Sequence, residues 1–163
     1  MAVGPQGDRG LPGADGATGA ALLTGVGGDL QTGTPNGTDV SQAAVNGQSS
    51  NNSLIPRLAS LSPNRRLRVR DMAATVVNDV PNGSSVTIDL MSNPAGDYGN
   101  TGPPLLGCTI TGTSGPNDRS CTATGPATLE AGRVIFMRIT KANGATPSNA
   151  SVVQWGIALE PAP

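Results

Sequence analysis

Hydrophobic and polar residues alternate along short runs in the C-terminal part of the chain, and residues typical of turns separate these runs. Such a period of two indicates β-strands rather than helices. Several short strands with turns between them are typical of an antiparallel sandwich or barrel. The pattern therefore predicts a mainly β, jelly-roll-like antiparallel β-sandwich head over residues 66–163. The predicted strands are 66–78, 84–91, 105–112, 119–124, 133–141 and 150–160.

Glycine and proline mark the connections between these strands. Asn82-Gly83 and Asn143-Gly144 each suit a turn that needs a positive φ angle, and Ala131-Gly132 suits a tight bend before the strand that follows it. The prolines and glycines of residues 92–104 predict a long loop.

Two of the predicted strands are apolar on both faces. In 133–141, RVIFMRITK, apolar side chains point in both directions, so we expect a central strand. A second sheet would cover one face and a neighbouring subunit the other. In the last strand we expect Trp155 to lie in the core or at a trimer interface.

Glycine recurs at every third position near the start of the chain, and Leu22 stands where the next glycine would fall. A collagen triple helix requires this repeat, because only glycine fits where three polyproline II chains meet at the axis. Residues 1–21 are therefore predicted to form a collagen-like stalk. The alternative is a flexible linker that happens to be periodic. The predicted axis residues are Gly4, Gly7, Gly10, Gly13, Gly16 and Gly19.

Residues 22–65 separate the stalk from the predicted head. Gly, Asn, Ser and Thr dominate this segment, and its apolar residues are too sparse for a core. We expect an extended polar connector that is ordered by partners. Two arrangements stay open: the connector packs on its own trimer, or part of it adds as a strand to a neighbouring head and links trimers end to end.

The chain resembles the bacterial and phage collagen-like proteins, in which a Gly-X-Y stalk joins a compact trimeric β head. The resemblance rests on residues 4–21 for the stalk and, more loosely, on residues 66–160 for the head. Related heads are the C1q-like, tumour-necrosis-factor-like and exosporium-filament heads. Five to six triplets span only about 50 Å at about 3.1 Å per residue, so the head is expected to hold the trimer together.

The resemblance implies a homotrimeric structural subunit of a fibre, filament or virion appendage. Its partners would be its own copies and an anchor protein of a virion, spore layer or cell surface. In exosporium filaments, threonine in the Y position can carry glycans, and the matching residue is Thr18. The alternative function is a receptor- or glycan-binding head module on a collagen-like stalk.

Composition narrows the function further. The formal net charge is −1 and the chain has no long basic tract, which argues against a nucleic-acid partner. No apolar run is long enough to predict a membrane span, and the N-terminus lacks the apolar region of a secretory signal. We expect an extracellular surface structure or a virion component that is not exported through a Sec signal.

Catalytic chemistry is not indicated. The chain has no histidine, which removes the usual general base and the Ser-His-Asp and Cys-His arrangements. Its glycine-rich stretches lack the GK[ST] ending of a P-loop. Nothing in the spacing of Asp97, Asp118 and Glu130 selects a catalytic pair or a calcium loop. The prediction is a non-enzymatic protein without a metal or cofactor.

Cys108 and Cys121 are the only cysteines, and they enclose a segment rich in turn residues. A zinc site would need further Cys or His ligands. We therefore favour a hairpin disulfide, with two buried free thiols as the alternative. A disulfide implies that the mature protein meets oxidising conditions.

Three arginines alternate with apolar residues at the start of the head, which places Arg66, Arg68 and Arg70 on one strand face. Aligned guanidinium groups repel one another unless an anion lies close. One interpretation is an anionic partner such as a surface glycan or phosphate. The other is solvation, or pairing across chains with an acidic residue. The candidate acidic residues are Asp71, Asp79 and Asp89.

Overall fold

The structure is a computed structural model, and its described part is built from antiparallel β-strands. It describes residues 21–27, 39–43, 45, 49–50, 60–61, 64–97, 102–113, 119–142 and 153–162. No helix in these ranges is long and apolar enough to cross a membrane. The strands are β1 (Ala21–Gly27), β2 (Asp39–Ala43), β3 (Ser49–Ser50), β4 (Ser60–Leu61), β5 (Leu67–Val76), β6 (Ser85–Asn93), β7 (Leu106–Thr111), β8 (Ser120–Leu129), β9 (Val134–Ala142) and β10 (Val153–Pro161).

The strands form two sheets that pack face to face. Sheet A has the order β1-β10-β5-β8, and sheet B has the order β3-β2-β9-β6-β7, with β4 also paired to β9. Apart from the short β3 and β4, the chain passes to the other sheet at every step except the β6–β7 hairpin. This is the strand order of a jelly roll, in which two Greek keys wrap into a sandwich. The predicted mainly β sandwich is confirmed.

The core lies between the sheets and is formed by alternate side chains of each strand. In β5, Val69 and Met72 both point inward although they are three residues apart, because the register shifts between Val69 and Asp71. A β-bulge at this point adds one residue and returns the apolar side chains to the core face. From sheet B, Ile88 and Ile139 meet them, each 0% exposed.

Strand β9 is central, as its sequence predicts, and it is buried on both faces. Ile135 and Met137 belong to the core between the sheets. On the outer face of sheet B, Val134 and Phe136 pack with Met91 of β6 and are also buried. The prediction that a neighbouring subunit covers this face is not needed for their burial, because one chain buries all three side chains.

All six strands predicted for the head are present, and the chain turns at Asn82-Gly83 and at Ala131-Gly132 as predicted. The turn predicted at Asn143-Gly144 lies outside the described residues. Gly83 has a φ of 77° and Gly132 a φ of 68°. Strand β8 is longer than predicted, since it continues through Pro126 to Leu129. β8 lies at the edge of sheet A, where a proline does not interrupt pairing with a further strand.

Four strands, β1 to β4, fall in the predicted connector, and all four belong to the sheets. β1 pairs along its whole length with β10, from Ala21 opposite Leu159 to Gly27 opposite Val153. β2 pairs with β9. Both strands therefore add to sheets of their own chain. The six glycines predicted at the triple-helix axis, and Thr18, lie outside the described residues.

Candidate functional site: the outer face of sheet A

The outer face of sheet A points away from the core and consists mainly of small or polar side chains. Threonine, alanine and glycine predominate, so few bulky groups would hinder the approach of another surface. Its residues are exposed or half-buried. They are Leu22, Thr24, Arg68, Arg70, Asp71, Ala73, Thr75, Ser120, Thr122, Thr124, Pro126, Thr128, Gln154, Gly156, Ala158 and Glu160.

Among the side chains of this face that the structure describes, Leu22 is the large apolar one. It is 68% exposed, and among the described residues only Val77 is a second exposed large hydrophobic side chain. Leu22 lies opposite Ala158 on β10. A Cβ atom at Gly156 would stand 3.8 Å from Leu22 Cδ1, so the leucine lies over a position that has no side chain. Leu22 and its small neighbours form an apolar spot at the edge of the sheet.

The predicted arginine row lies beside this spot, and its partners belong to the same chain. Arg68 and Arg70 both approach Glu160 of β10, at 3.8 and 3.2 Å. Arg66, just before β5, lies 2.8 Å from Glu130. The hydrogen bond to Glu130 and the charge of that carboxylate raise the pKa of the Arg66 guanidinium above its ordinary value. Exposed pairs of this kind contribute little to stability.

Two of the three aspartates suggested as partners of the arginine row pair with other arginines instead. Asp79 pairs with Arg119 at 2.6 Å, and Asp89 pairs with Arg138 at 2.7 Å. The sequence could not reveal Glu130 and Glu160 as partners of the arginines. They come from distant parts of the chain that only the pairing of β5 with β8 and β10 brings close.

The disulfide between Cys108 and Cys121 is confirmed, but it does not lie within a hairpin. Cys108 is on β7 of sheet B and Cys121 on β8 of sheet A, with their Cα atoms 5.8 Å apart. After β7 the chain crosses between the sheets, and β8 pairs with β5 instead of β7. The disulfide therefore joins the two layers of the sandwich.

Removing this disulfide should lower the free energy of unfolding by about 3 kcal/mol, because it closes a short loop in the unfolded chain. A double variant, Cys108→Ala with Cys121→Ala, should melt about 10 °C below the native protein at equal concentration. Thermal circular dichroism measures the shift. Adding a reductant should lower the native midpoint and leave the double variant unchanged. A native midpoint insensitive to complete reduction would contradict the prediction.

A largely buried ion pair lies on the outer face of sheet B, on the side of the molecule opposite the outer face of sheet A. Asp89 of β6 and Arg138 of β9 are direct cross-strand neighbours. Arg138 donates from Nε and Nη2 to Asp89 Oδ2, at 3.0 and 2.7 Å, and from Nη1 to the carbonyl oxygen of Gly102. A Cβ atom at Gly107 would collide with Asp89 Oδ1. The pair thus holds the β6–β7 connection against the outer face of sheet B.

A cleft of about 530 Å³ lies where the β6–β7 loop meets the β8–β9 turn. Arg133 spans part of it and donates to Ser92 Oγ at 3.4 Å and to the Ser92 carbonyl oxygen at 3.1 Å. The described residues that line the cleft include no aromatic ring. They are Ser92, Asn93, Pro94, Asp97, Gly102, Pro103, Pro104, Leu105, Thr128, Glu130 and Arg133. The receptor- or glycan-binding alternative stays a prediction.

No protein-family model matches the chain, and no curated protein matches its sequence. Among solved structures, a chain of Desmodium yellow mottle tymovirus is similar at a TM-score of 0.32 and 12% sequence identity, over 96% of this chain and 95% of that chain. A likeness this low carries no argument about fold or function. The assignment of a jelly roll rests on the strand order alone.

Proposed function

We propose that this protein is a non-enzymatic structural subunit that assembles as a homotrimer through a collagen-like stalk and a jelly-roll head. The observation that carries the proposal is that the first strand of the head directly continues the Gly-X-Y repeat. β1 begins at Ala21, the last residue of the sixth Gly-X-Y triplet. A triple helix holds three chains side by side. Since no linker separates the repeat from the first strand, the three heads must also lie side by side.

The head has features that suit a structural role outside the reducing cytosol. Its two layers are joined by a disulfide, and disulfides persist in oxidising compartments. Its outer face of sheet A is broad and consists mainly of small or polar side chains, and the small ones permit close contact between subunits. We place the protein in a fibre, filament or virion appendage at an extracellular surface or on a virion.

The proposed partners are two further copies of the chain and an anchor protein in the parent structure. Linking trimers end to end by strand addition stays a prediction. In the structure, β1 and β2 pair with strands of their own chain.

The test is the mass in solution, measured by light scattering. We expect the full chain to have three times the mass of one chain over a wide concentration range. Circular dichroism on heating should show a polyproline-type transition separate from the melting of the head. A variant that starts at Ala21 should lose that transition. The truncation must stop there, because β1 begins at Ala21.

Two matched double variants connect the transition to the glycine positions. Gly10→Ala with Gly13→Ala puts side chains at the predicted axis and should abolish the transition. Ala14→Ser with Ala17→Ser changes positions that face outward in a triple helix and should keep it. A full chain that is monomeric at all concentrations would overturn the proposal.

A further inference from the structure

We infer that Leu22 is a threefold contact between subunits, where three copies of this side chain pack together at the end of the triple helix. The inference rests on the proposed homotrimer and names part of its interface. The surface that Leu22 contacts is the same surface of a second and a third copy of this chain.

Leu22 stands at a defined phase of the glycine repeat. Leu22 follows the sixth triplet at the position of a seventh glycine. In a triple helix this position points to the common axis, where only a hydrogen atom fits. A leucine therefore ends the triple helix. It is also the first side chain that three converging chains must accommodate around the axis.

Leu22 lies near the start of β1, where the repeat passes into the first strand. β1 takes over at Ala21, so Leu22 is already held by pairing with Ala158 of β10. Its side chain lies on the outer face of an edge strand and is 68% exposed. The fold of one chain therefore presents a large apolar group to water at the point where the stalk brings three chains together.

Small side chains surround Leu22 on the sheet, and charged side chains lie beyond them. Its neighbours on the sheet are Gly156 and Ala158, which rise too little above the backbone to shield it. Beyond them lie Glu160 and the two arginines that approach it. An apolar centre with a charged rim is the usual arrangement of a protein–protein interface. The spot is small, which suits a contact repeated three times around an axis.

Val77 provides an internal comparison. It is the second exposed large hydrophobic side chain among the described residues, at 51%. It follows Val76, which lies opposite Val153, whereas Leu22 lies opposite Ala158 at the other end of β10. Val77 is therefore distant from the point where the stalk enters, and the inference assigns it no contact at the axis.

The test is chemical cross-linking of added cysteines. Leu22→Cys, Thr24→Cys and Val77→Cys are each treated with a short bismaleimide without reductant, so that the native disulfide does not react. Leu22→Cys should give chiefly covalent dimers on a denaturing gel, at a yield that does not change on tenfold dilution. Thr24→Cys lies two residues further along the same face and should react less. Val77→Cys should stay monomeric on the gel.

Light scattering on the same three variants distinguishes a failure of the proposed Leu22 contact from a failure of the proposed homotrimer. If they are trimers and Leu22→Cys cross-links no better than Val77→Cys, the inference is wrong and the proposed function stands. If the unmodified full chain is a monomer, the proposed function fails and the inference fails with it. Circular dichroism checks that each variant keeps the fold, which the exposure of all three replaced side chains favours.

A second substitution tests the contact without a cross-linker. Leu22→Glu would place three carboxylates together at the axis, and we expect the concentration at which half of the trimers dissociate to rise at least tenfold. Val77→Glu adds the same charge at the control position and should leave that concentration unchanged. Equal behaviour of the two variants would overturn the inference.

Discussion

Replacing Asp89 with alanine should destabilise the head by about 3–5 kcal/mol, the usual cost of leaving one member of a buried ion pair without its partner. The side chains of Arg138 and Asp89 are only 18% and 7% exposed. Without the carboxylate, the Arg138 guanidinium loses the acceptor of two hydrogen bonds. Urea denaturation followed by circular dichroism, at one protein concentration throughout, measures the loss.

A double variant is the matched control for this prediction. Asp89→Leu with Arg138→Met replaces both charges with apolar side chains of similar size, so no charge remains buried alone. We expect the double variant to be more stable than either Asp89→Ala or Arg138→Met. If Asp89→Ala costs less than about 1 kcal/mol, the pair behaves as an exposed salt bridge and the prediction is wrong.

Replacing Trp155 with alanine should lower the free energy of unfolding by about 3–5 kcal/mol, because it leaves a cavity in the core between the two sheets. Trp155 is 4% exposed and lies on β10 between Gly25 of β1 and Ala74 of β5. A Cβ atom at Gly25 would stand 2.7 Å from the indole ring, so the first strand is shaped around this side chain. Loss of the indole should therefore loosen β1 as well as the core.

Trp155→Phe separates the hydrogen bond from the packing. The indole Nε1 donates to the Val45 carbonyl oxygen at 3.1 Å, and phenylalanine removes that donor while it keeps most of the apolar volume. We expect a loss of about 1–3 kcal/mol for an unpaired buried carbonyl. Urea denaturation followed by circular dichroism compares both variants. Equal losses for Trp155→Ala and Trp155→Phe would contradict the assignment of Trp155 as a core residue.

These contacts bear on the proposed function through β1. The strand is the part of the head that continues the Gly-X-Y repeat, and its pairing with β10 over residues 21–27 would anchor the proposed stalk in sheet A. Trp155 contacts the strand from the core side. Leu22 lies on the other side of the same strand. Force or torsion on the proposed stalk would therefore reach the head through β1.

The sequence predicted the six strands of the head because each keeps its alternation of apolar and polar residues over several positions. It missed β1 and β2, since glycine and small polar residues weaken that pattern. Gly25 shows why: glycine is a poor strand former in isolation, yet here the ring of Trp155 leaves no room for a side chain. Contacts between residues distant in the chain override local preference at such positions.

The disulfide illustrates the same limit from another direction. The sequence predicted that Cys108 pairs with Cys121 because the chain has no other cysteine. It also suggested that the two residues belong to one hairpin. The structure places them on strands of different sheets. Which strands become neighbours is decided by how the two sheets pack, and turn residues between two strands do not specify it.

The glycine repeat, the mainly β class, the strands of the head and the identity of the disulfide partners could all be inferred from the sequence. Each of these depends on residue type and spacing along the chain. The three-dimensional fold was needed to show that β1 and β2 complete the jelly roll, that Arg68 and Arg70 share Glu160, and that Leu22 is exposed beside the end of the repeat. These features arise from strand order and register, which bring together residues that no local pattern connects.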